Sequence, residues 1–397
     1  MGAVFPFWAF FGLTFLIDIL THVFKWKKDK RINPYKPLRE VSVIIPVHKE
    51  PPDYLEKTVG AVFSEKYPVK NVVICAGINA NESKKIVKKL SKKYKNLIYC
   101  ECPHQSKARK INYAVATIKK LGDFIYVRDC RVTGNIDCIE KIVSYFNEEK
   151  VAAVTSYGRV SVPRNFLSRS YFYGKAWINE IGRFRKNAQE KRRAIFVVCG
   201  ASTMFRKEVL KKIPIPSGSK TEDTYYTWIL QKKGFSIRVA DDAIVSAPEV
   251  DGEKFEGIKG QIKQSYRWSC GTMQCMYREG RDIFKNKRLA WTTIFPGLAE
   301  SVMYTIPLVL LPILFFIAPV YGWGFLIGDT VFSLLGTAII LPRKFFKTLF
   351  HYPQIVFFKY LSALIFIAAI FVVTYQAIAG KTEKWSNEWK PPETRIK

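Results

Sequence analysis

Acidic side chains are outnumbered in this 397-residue chain, 33 Asp and Glu against 63 Lys and Arg, and histidine occurs only four times. The histidines are scattered, and Cys100-x-Cys102 has no second pair among the eight cysteines, so no zinc-type ligand set is spelled out. No G-x-G-x-x-G and no P-loop follows an apolar run, which argues against dinucleotide oxidoreductases and P-loop ATPases. No internal repeat is present. The formal net charge of +30 leaves nucleic acid, anionic lipid or an anionic substrate such as a sugar diphosphate as partners. With no nucleic-acid recognition motif in the chain, nucleic acid is not expected among them.

Long apolar runs are present. Residues 4–24 form an almost unbroken apolar run interrupted mainly by Asp18 and His22, close to the ~20 residues that cross a bilayer as a helix. The basic cluster Lys25, Lys27, Lys28, Lys30 and Arg31 follows, which predicts a retained anchor with the next segment in the cytoplasm. Three further runs, 300–319, 321–341 and 354–379, have spanning length, and Arg343, Lys344 and Lys347 between the last two are expected on the cytoplasmic side. The basic, aromatic-bearing stretch 278–291 reads equally as an interfacial helix or a linker. The expected organisation is an anchor (1–24), a cytoplasmic domain (25–277), an interfacial helix or linker (278–299), three spans (300–380) and a tail (381–397). That makes a multi-pass protein of the cell membrane. The cysteines then sit mostly in a reducing compartment and are read as packing residues.

Within the middle region the runs 41–47, 72–76, 97–100 and 124–127 predict buried strands. Helical patterns alternate with them. In 82–95, for example, Ile86, Val87, Leu90 and Tyr94 share a face and six lysines lie largely opposite. This alternation predicts an open α/β sheet whose ligands bind beyond the carboxyl ends of the strands, where His48, Lys49 and Glu50, and Asp129, Cys130 and Arg131, are found.

Five motifs follow in order: Val41 to Glu50, Lys107-Ala-Arg-Lys-Ile-Asn112, Cys199-Gly-Ala-Ser-Thr-Met-Phe-Arg206, Thr221-Glu222-Asp223, and Gln264-Ser-Tyr-Arg267-Trp268. From about residue 41 to 271 they resemble family-2 glycosyltransferases of the membrane-integrated branch that holds cellulose, chitin and hyaluronan synthases and ceramide glucosyltransferase. The resemblance implies a Rossmann-like, GT-A type nucleotide-diphospho-sugar transferase domain with flanking transmembrane helices. It also implies an inverting transfer of a sugar to a membrane-associated lipid or a growing polysaccharide. Such a transfer needs a base for the acceptor hydroxyl, worth roughly 10²–10⁴-fold. By the resemblance Asp223 is that base, with Glu222 beside it. Donor contacts are implied for Pro46, Glu50, Lys107, Asn112, Asp129 and Arg131. Acceptor or diphosphate contacts are implied for Gly200, Ala201, Gln264, Arg267 and Trp268.

The chain departs from the family pattern twice. Family members carry an acid after the second strand, where this chain reads Ile74-Cys75-Ala76-Gly77-Ile78, and they carry D-x-D after the fourth, where it reads Asp129-Cys130-Arg131. Two arrangements then satisfy a departing diphosphate. Asp129 holds one Mg2+ or Mn2+ together with diphosphate oxygens, or Arg131 pairs with the diphosphate itself. Duller readings stand beside these: Glu222 and Asp223 as first-turn acids of a helix, and Arg267 with Trp268 as a surface cation-π pair. The rival function is a catalytically inactive, membrane-anchored protein that binds sugar nucleotides or anionic lipids.

Overall fold

A computed structural model describes residues 18, 20–21, 31–48, 50–160, 166–247, 257–298, 306–340 and 342–385. Of the expected anchor 4–24, all but residues 18, 20 and 21 lie outside the described residues, as does Lys49.

The chain opens with β1 (Val41–Val47), α1 (Pro52–Phe63), β2 (Asn71–Gly77), α2 (Asn81–Leu90), β3 (Leu97–Cys102), α3 (Lys107–Thr117) and β4 (Phe124–Arg128). β1, β2 and β4 are buried at every position, as expected of strands covered on both faces. α1 starts on a proline, where a missing N–H costs nothing, and buries Leu55, Thr58, Val59 and Val62 at helical spacing. α2 stops at Leu90, short of the expected 95, where Ser91 Oγ bonds Val87 O at 2.8 Å and the chain turns.

Next come β5 (Thr133–Gly134), α4 (Cys138–Ser144), β6 (Val151–Val160), α5 (Phe166–Lys191), β7 (Ser202–Arg206), α6 (Lys207–Lys212), α7 (Glu222–Lys232), β8 (Ser236–Ala247) and α8 (Gly257–Ile283). The eight strands form one mixed sheet in the order β3-β2-β1-β4-β7-β6-β8-β5. β1 pairs in parallel with β2 and β4, whereas β7 is antiparallel to both of its neighbours, β4 and β6. This is the GT-A type α/β arrangement. The carboxyl ends of β1, β2 and β4 open onto one edge of the sheet, and the 199–201 segment entering β7 lies beside the end of β4.

α8 runs without a break through residue 277, the expected domain boundary. Beyond it a π-helical turn, Ala290–Ile294, buries Leu289, Ala290 and Ile294 with Trp228 while leaving Phe284 and Trp291 exposed. The apolar helices α9 (Ile306–Ile317), α10 (Pro319–Ile340) and α12 (Tyr352–Ile378) follow, with the short α11 (Phe345–Phe350) between the last two. Among the described residues only α10 and α12 are long and apolar enough to cross a membrane. Asp18 is buried between Arg185 (2.8 Å) of α5 and Arg192 (2.7 Å) just beyond it. At the other end Trp385 packs with Cys270 of α8 and with Ala369 and Val373 of α12.

Candidate active site

Lys107, in the first turn of α3 behind the capping Ser106, is the hub of the site. Its Nζ donates to Gly200 O at 2.6 Å, pairs with Asp129 Oδ1 at 2.6 Å and lies 3.7 Å from Glu222 Oε1. One ammonium therefore ties the end of β4, the approach to β7 and the start of α7. Asp129 is fixed in turn by its own N–H, which donates to Ala201 O at 2.9 Å. Burial alone would lower the Lys107 pKa, but Asp129, Glu222 and Asp223 outweigh it and hold the ammonium charged above the ordinary lysine range.

Asp223 closes the cluster. Its Oδ1 accepts from Thr224 N at 2.8 Å, as a first-turn helix acid does. A Cβ placed on Gly200 would overlap its Oδ2, so a glycine is required for that approach. The expected first-turn role and the expected cluster therefore coexist. Burial raises the pKa of both Glu222 and Asp223, with the Lys107 charge opposing it. If the pair must be ionised to accept a proton, kcat/KM falls with decreasing pH through a value above the ordinary ~3.9 of aspartate. Lys107→Met removes the opposing charge and moves that limb further up. A pH–rate profile checks both statements, and a limb at or below the ordinary value would contradict them.

α8 meets this cluster through the segment before α7. A Cβ on Gly271 would overlap Thr221 Oγ1 and stand 2.7 Å from Thr221 N, so helix and segment touch backbone to backbone. Ser219 Oγ donates to Gly271 O at 2.9 Å, and Gln274 Oε1 accepts from Lys220 N at 3.0 Å. Gln264, Arg267 and Trp268 precede Gly271 by seven, four and three residues. They continue the same stripe of the helix by one and two turns, about 5.4 Å each. Arg267 is exposed and Trp268 is 44% exposed, so both remain available to a ligand.

The remaining expected residues divide. Pro46 lies in β1 opposite Cys75, and Glu50 Oε2 accepts from His48 N at 2.6 Å, closing the loop beyond β1. Arg131 adopts φ 98° and rests its guanidinium 5.1 Å over the Tyr54 ring while its N–H donates to Thr58 Oγ1 at 2.9 Å, so α1 holds it. Asn112 is buried, and its amide donates to Ile215 O (2.8 Å) and accepts from Ile215 N (3.0 Å). Its amide thereby holds the backbone at Ile215 to α3.

Two residues escaped the sequence reading. At the end of β2, where the family acid is missing, a Cβ on Gly77 would stand 3.0 Å from both amide atoms of Gln105, so an exposed amide covers that position. Buried Lys110 donates to Val47 O at 2.7 Å, bracing the end of β1. Glutamine and lysine beside a helix start give no such signal in a lone sequence.

Among the described residues no group of three His, Cys, Asp or Glu could hold a metal. Asp129, already shared with Lys107, is a single ligand. That donor set suits an ion arriving with a diphosphate that brings most of its oxygen shell, rather than a resident one.

A family profile described as glycosyl transferase family group 2 matches residues 135–378, and one described as glycosyl transferase family 2 matches residues 42–214. The uncharacterized glycosyltransferase YaiP of Escherichia coli (strain K12) is 34% identical over 105 residues, 26% of this chain and 25% of that protein. A poly-beta-1,6-N-acetyl-D-glucosamine synthase of Staphylococcus epidermidis is 23% identical over 277 residues, 68% of this chain and 64% of the synthase. The chain thus spans less than two thirds of the length of each. Among solved structures, the mannosyltransferase PcManGT from Pyrobaculum calidifontis, in complex with GDP-Man and Mn2+, has a TM-score of 0.67 at 16% identity, covering 93% of this chain and 96% of that one.

Proposed function

The chain belongs to glycosyl transferase family 2, and from that premise we propose that it catalyses an inverting sugar transfer from a nucleotide diphosphate sugar to a lipid or growing polysaccharide at the cytoplasmic face of the cell membrane. The observation that carries this is the Lys107 ammonium bridging Asp129 and Gly200, with Asp223 against that same Gly200. The proposed base and the proposed leaving-group cation thus both meet Gly200.

Asp223 takes the proton of the acceptor hydroxyl as its oxygen attacks the anomeric carbon. The bond to the diphosphate breaks on the opposite face, and its electron pair leaves with the nucleoside diphosphate. Lys107 and Arg267 meet the charge that develops there. Trp268 offers a flat face to an acceptor sugar or headgroup, and Gln264 offers an amide. An Mg2+ or Mn2+ ion held by Asp129 and the donor oxygens would add positive charge at the leaving group.

The membrane-attached reading is supported by α10 and α12. Phe357, Leu364, Phe371 and Ile378 recur every seven residues on α12 and are all exposed, as are Val331, Leu335 and Ile339 on α10. Those stripes suit lipid. The inward side holds the buried pair Lys359–Asp329 at 2.5 Å, and Trp177 Nε1 of α5 donates to Thr337 Oγ1 of α10 at 2.9 Å. The apolar helices are thus joined both to each other and to the transferase domain.

A panel of nucleotide sugars offered to the full chain in membranes tests the proposal. Nucleoside diphosphate release with one donor is expected, with product length separating single addition from a ladder of oligomers. Binding without release from any donor would instead favour the inactive sugar-nucleotide or anionic-lipid binding protein. Excess chelator is expected to abolish release if Asp129 works through a divalent ion, whereas full turnover in chelator would leave Lys107 and Arg131 as the charges at the diphosphate.

A further inference from the structure

Lys107 and Asp129 mark the diphosphate half of the cleft at the end of β4, and Gly200 with Asp223 occupies the β7 side of it. In the order β2-β1-β4-β7 the nucleoside of a donor therefore extends the other way, across the ends of β1 and β2. At ~4.8 Å per strand the end of β2 lies roughly 10 Å from that of β4, within reach of a ribose and its base.

Gly77 closes β2 at that point. A Cβ on it would stand 3.0 Å from both Oε1 and Nε2 of Gln105 and 3.3 Å from Cδ, so the amide lies flat on bare backbone. The Gln105 side chain is exposed, and its amide makes no hydrogen bond among the described residues. Between Gln105 and Lys107 stands Ser106, whose Oγ accepts from Arg109 N at 3.3 Å and caps α3. One capped turn thus carries the ammonium for the diphosphate and, two residues ahead of it, an uncommitted amide. Next to Gly77, Ile78 is 50% exposed and offers an apolar surface to the face of a ring.

Uracil and guanine present a ring N–H beside a carbonyl, whereas cytosine and adenine present an amino group beside a bare ring nitrogen. Each edge is one donor next to one acceptor, and a carboxamide matches any of them by turning its terminal group over. A carboxylate can only accept. It suits the N–H of uracil and guanine and opposes the lone pair on the bare ring nitrogen of cytosine and adenine.

We propose that Gln105 is the base-contacting residue of the donor site and that its amide lets the chain bind nucleoside diphosphates of more than one base. Discrimination among donors then falls to the sugar half of the cleft. The assignment rests on the transfer reading above for where the diphosphate sits, but its test needs no turnover. Equilibrium binding of UDP, CDP, GDP and ADP to the purified full chain is measured with Mg2+ present throughout, for wild type, Gln105→Glu and Gln105→Ala.

In the wild type UDP and CDP are expected to bind within about 10-fold of each other, and GDP and ADP likewise. Gln105→Glu should widen each pair at least roughly 10-fold in favour of uracil and guanine, as a lost hydrogen bond and an opposed lone pair do. Gln105→Ala should weaken all four about 2- to 10-fold and leave the ratios alone. Each readout is a ratio on one sample, so a variant that is partly unfolded gives the same answer. The proposal is overturned if the wild type separates either pair by more than about 10-fold, because another group then reads the base, or if Gln105→Glu leaves the ratios unmoved. Nucleotide-sugar turnover by a chain whose binding ignores Gln105 would sink this proposal and spare the transfer reading. Gln105-dependent ratios in a chain that turns over no donor would do the reverse.

Discussion

Asp223→Asn should lower kcat roughly 10²- to 10⁴-fold, the range expected for loss of a positioned base, while nucleotide binding changes little. The change is nearly isosteric, and the amide can still accept from Thr224 N, which Asp223 Oδ1 meets at 2.8 Å. What disappears is the lone carboxylate oxygen turned toward Gly200. Gly200→Ala reaches the same atom from the other side, since its methyl would displace the carboxylate, and should lose activity without any change of charge. Single-turnover release of nucleoside diphosphate, measured for both variants beside a melting curve, decides the point. If Asp223→Asn retains wild-type turnover, that residue is not the base.

The second large effect concerns stability. Glu65→Ala should cost about 3–5 kcal/mol, because it strands a guanidinium that has no route to water. Arg128 is 0% exposed; its Nη2 lies 2.5 Å from Glu65 Oε1 and 3.1 Å from Tyr126 Oη. Glu65 Oε2 accepts from Ile139 N at 2.8 Å, so the carboxylate also ties α4 to the sheet. Glu65→Gln, which keeps hydrogen-bonding capacity, should cost less. Replacing both partners with apolar residues should recover much of the loss, since such a pair stabilises little against a well-packed hydrophobic substitute. Denaturant midpoints of the solubilised protein order the three variants. A Glu65→Ala midpoint equal to that of wild type would mean that Arg128 finds another partner. Because Arg128 immediately precedes Asp129, the destabilised variants should also lose activity before they unfold.

The parallel half of the sheet was legible because β1, β2 and β4 are short apolar runs buried on both faces, which leaves little ambiguity about their state. β6, β7 and β8 were not assigned from sequence. Their pairings join residues far apart in the chain, as in Thr155 with Thr203, and polar members such as Ser202 and Thr203 are buried only because side chains from elsewhere satisfy them. Thr221-Glu222-Asp223 and Gln264 to Trp268 stood out through their order and spacing in the family pattern, and of these the structure brings Glu222 and Asp223 to Lys107 and Gly200. Asn112, read as a donor contact, also bonds Ile215 through both ends of its amide, a partner 103 residues away that the local sequence does not announce. Gly271 gave no signal, because the need for a glycine depends on which backbone arrives opposite it.

Cys270 and Gly271 are neighbours on α8, yet one is packed against Ala369 and Val373 of the apolar helix α12 and the other against the segment that launches Glu222 and Asp223. A single rod therefore has the apolar bundle and the acid pair strapped to adjacent links. Solvents that loosen the oily bundle should silence the enzyme well before circular dichroism registers any loss of helix, and an extract judged intact by its spectrum can already be inert.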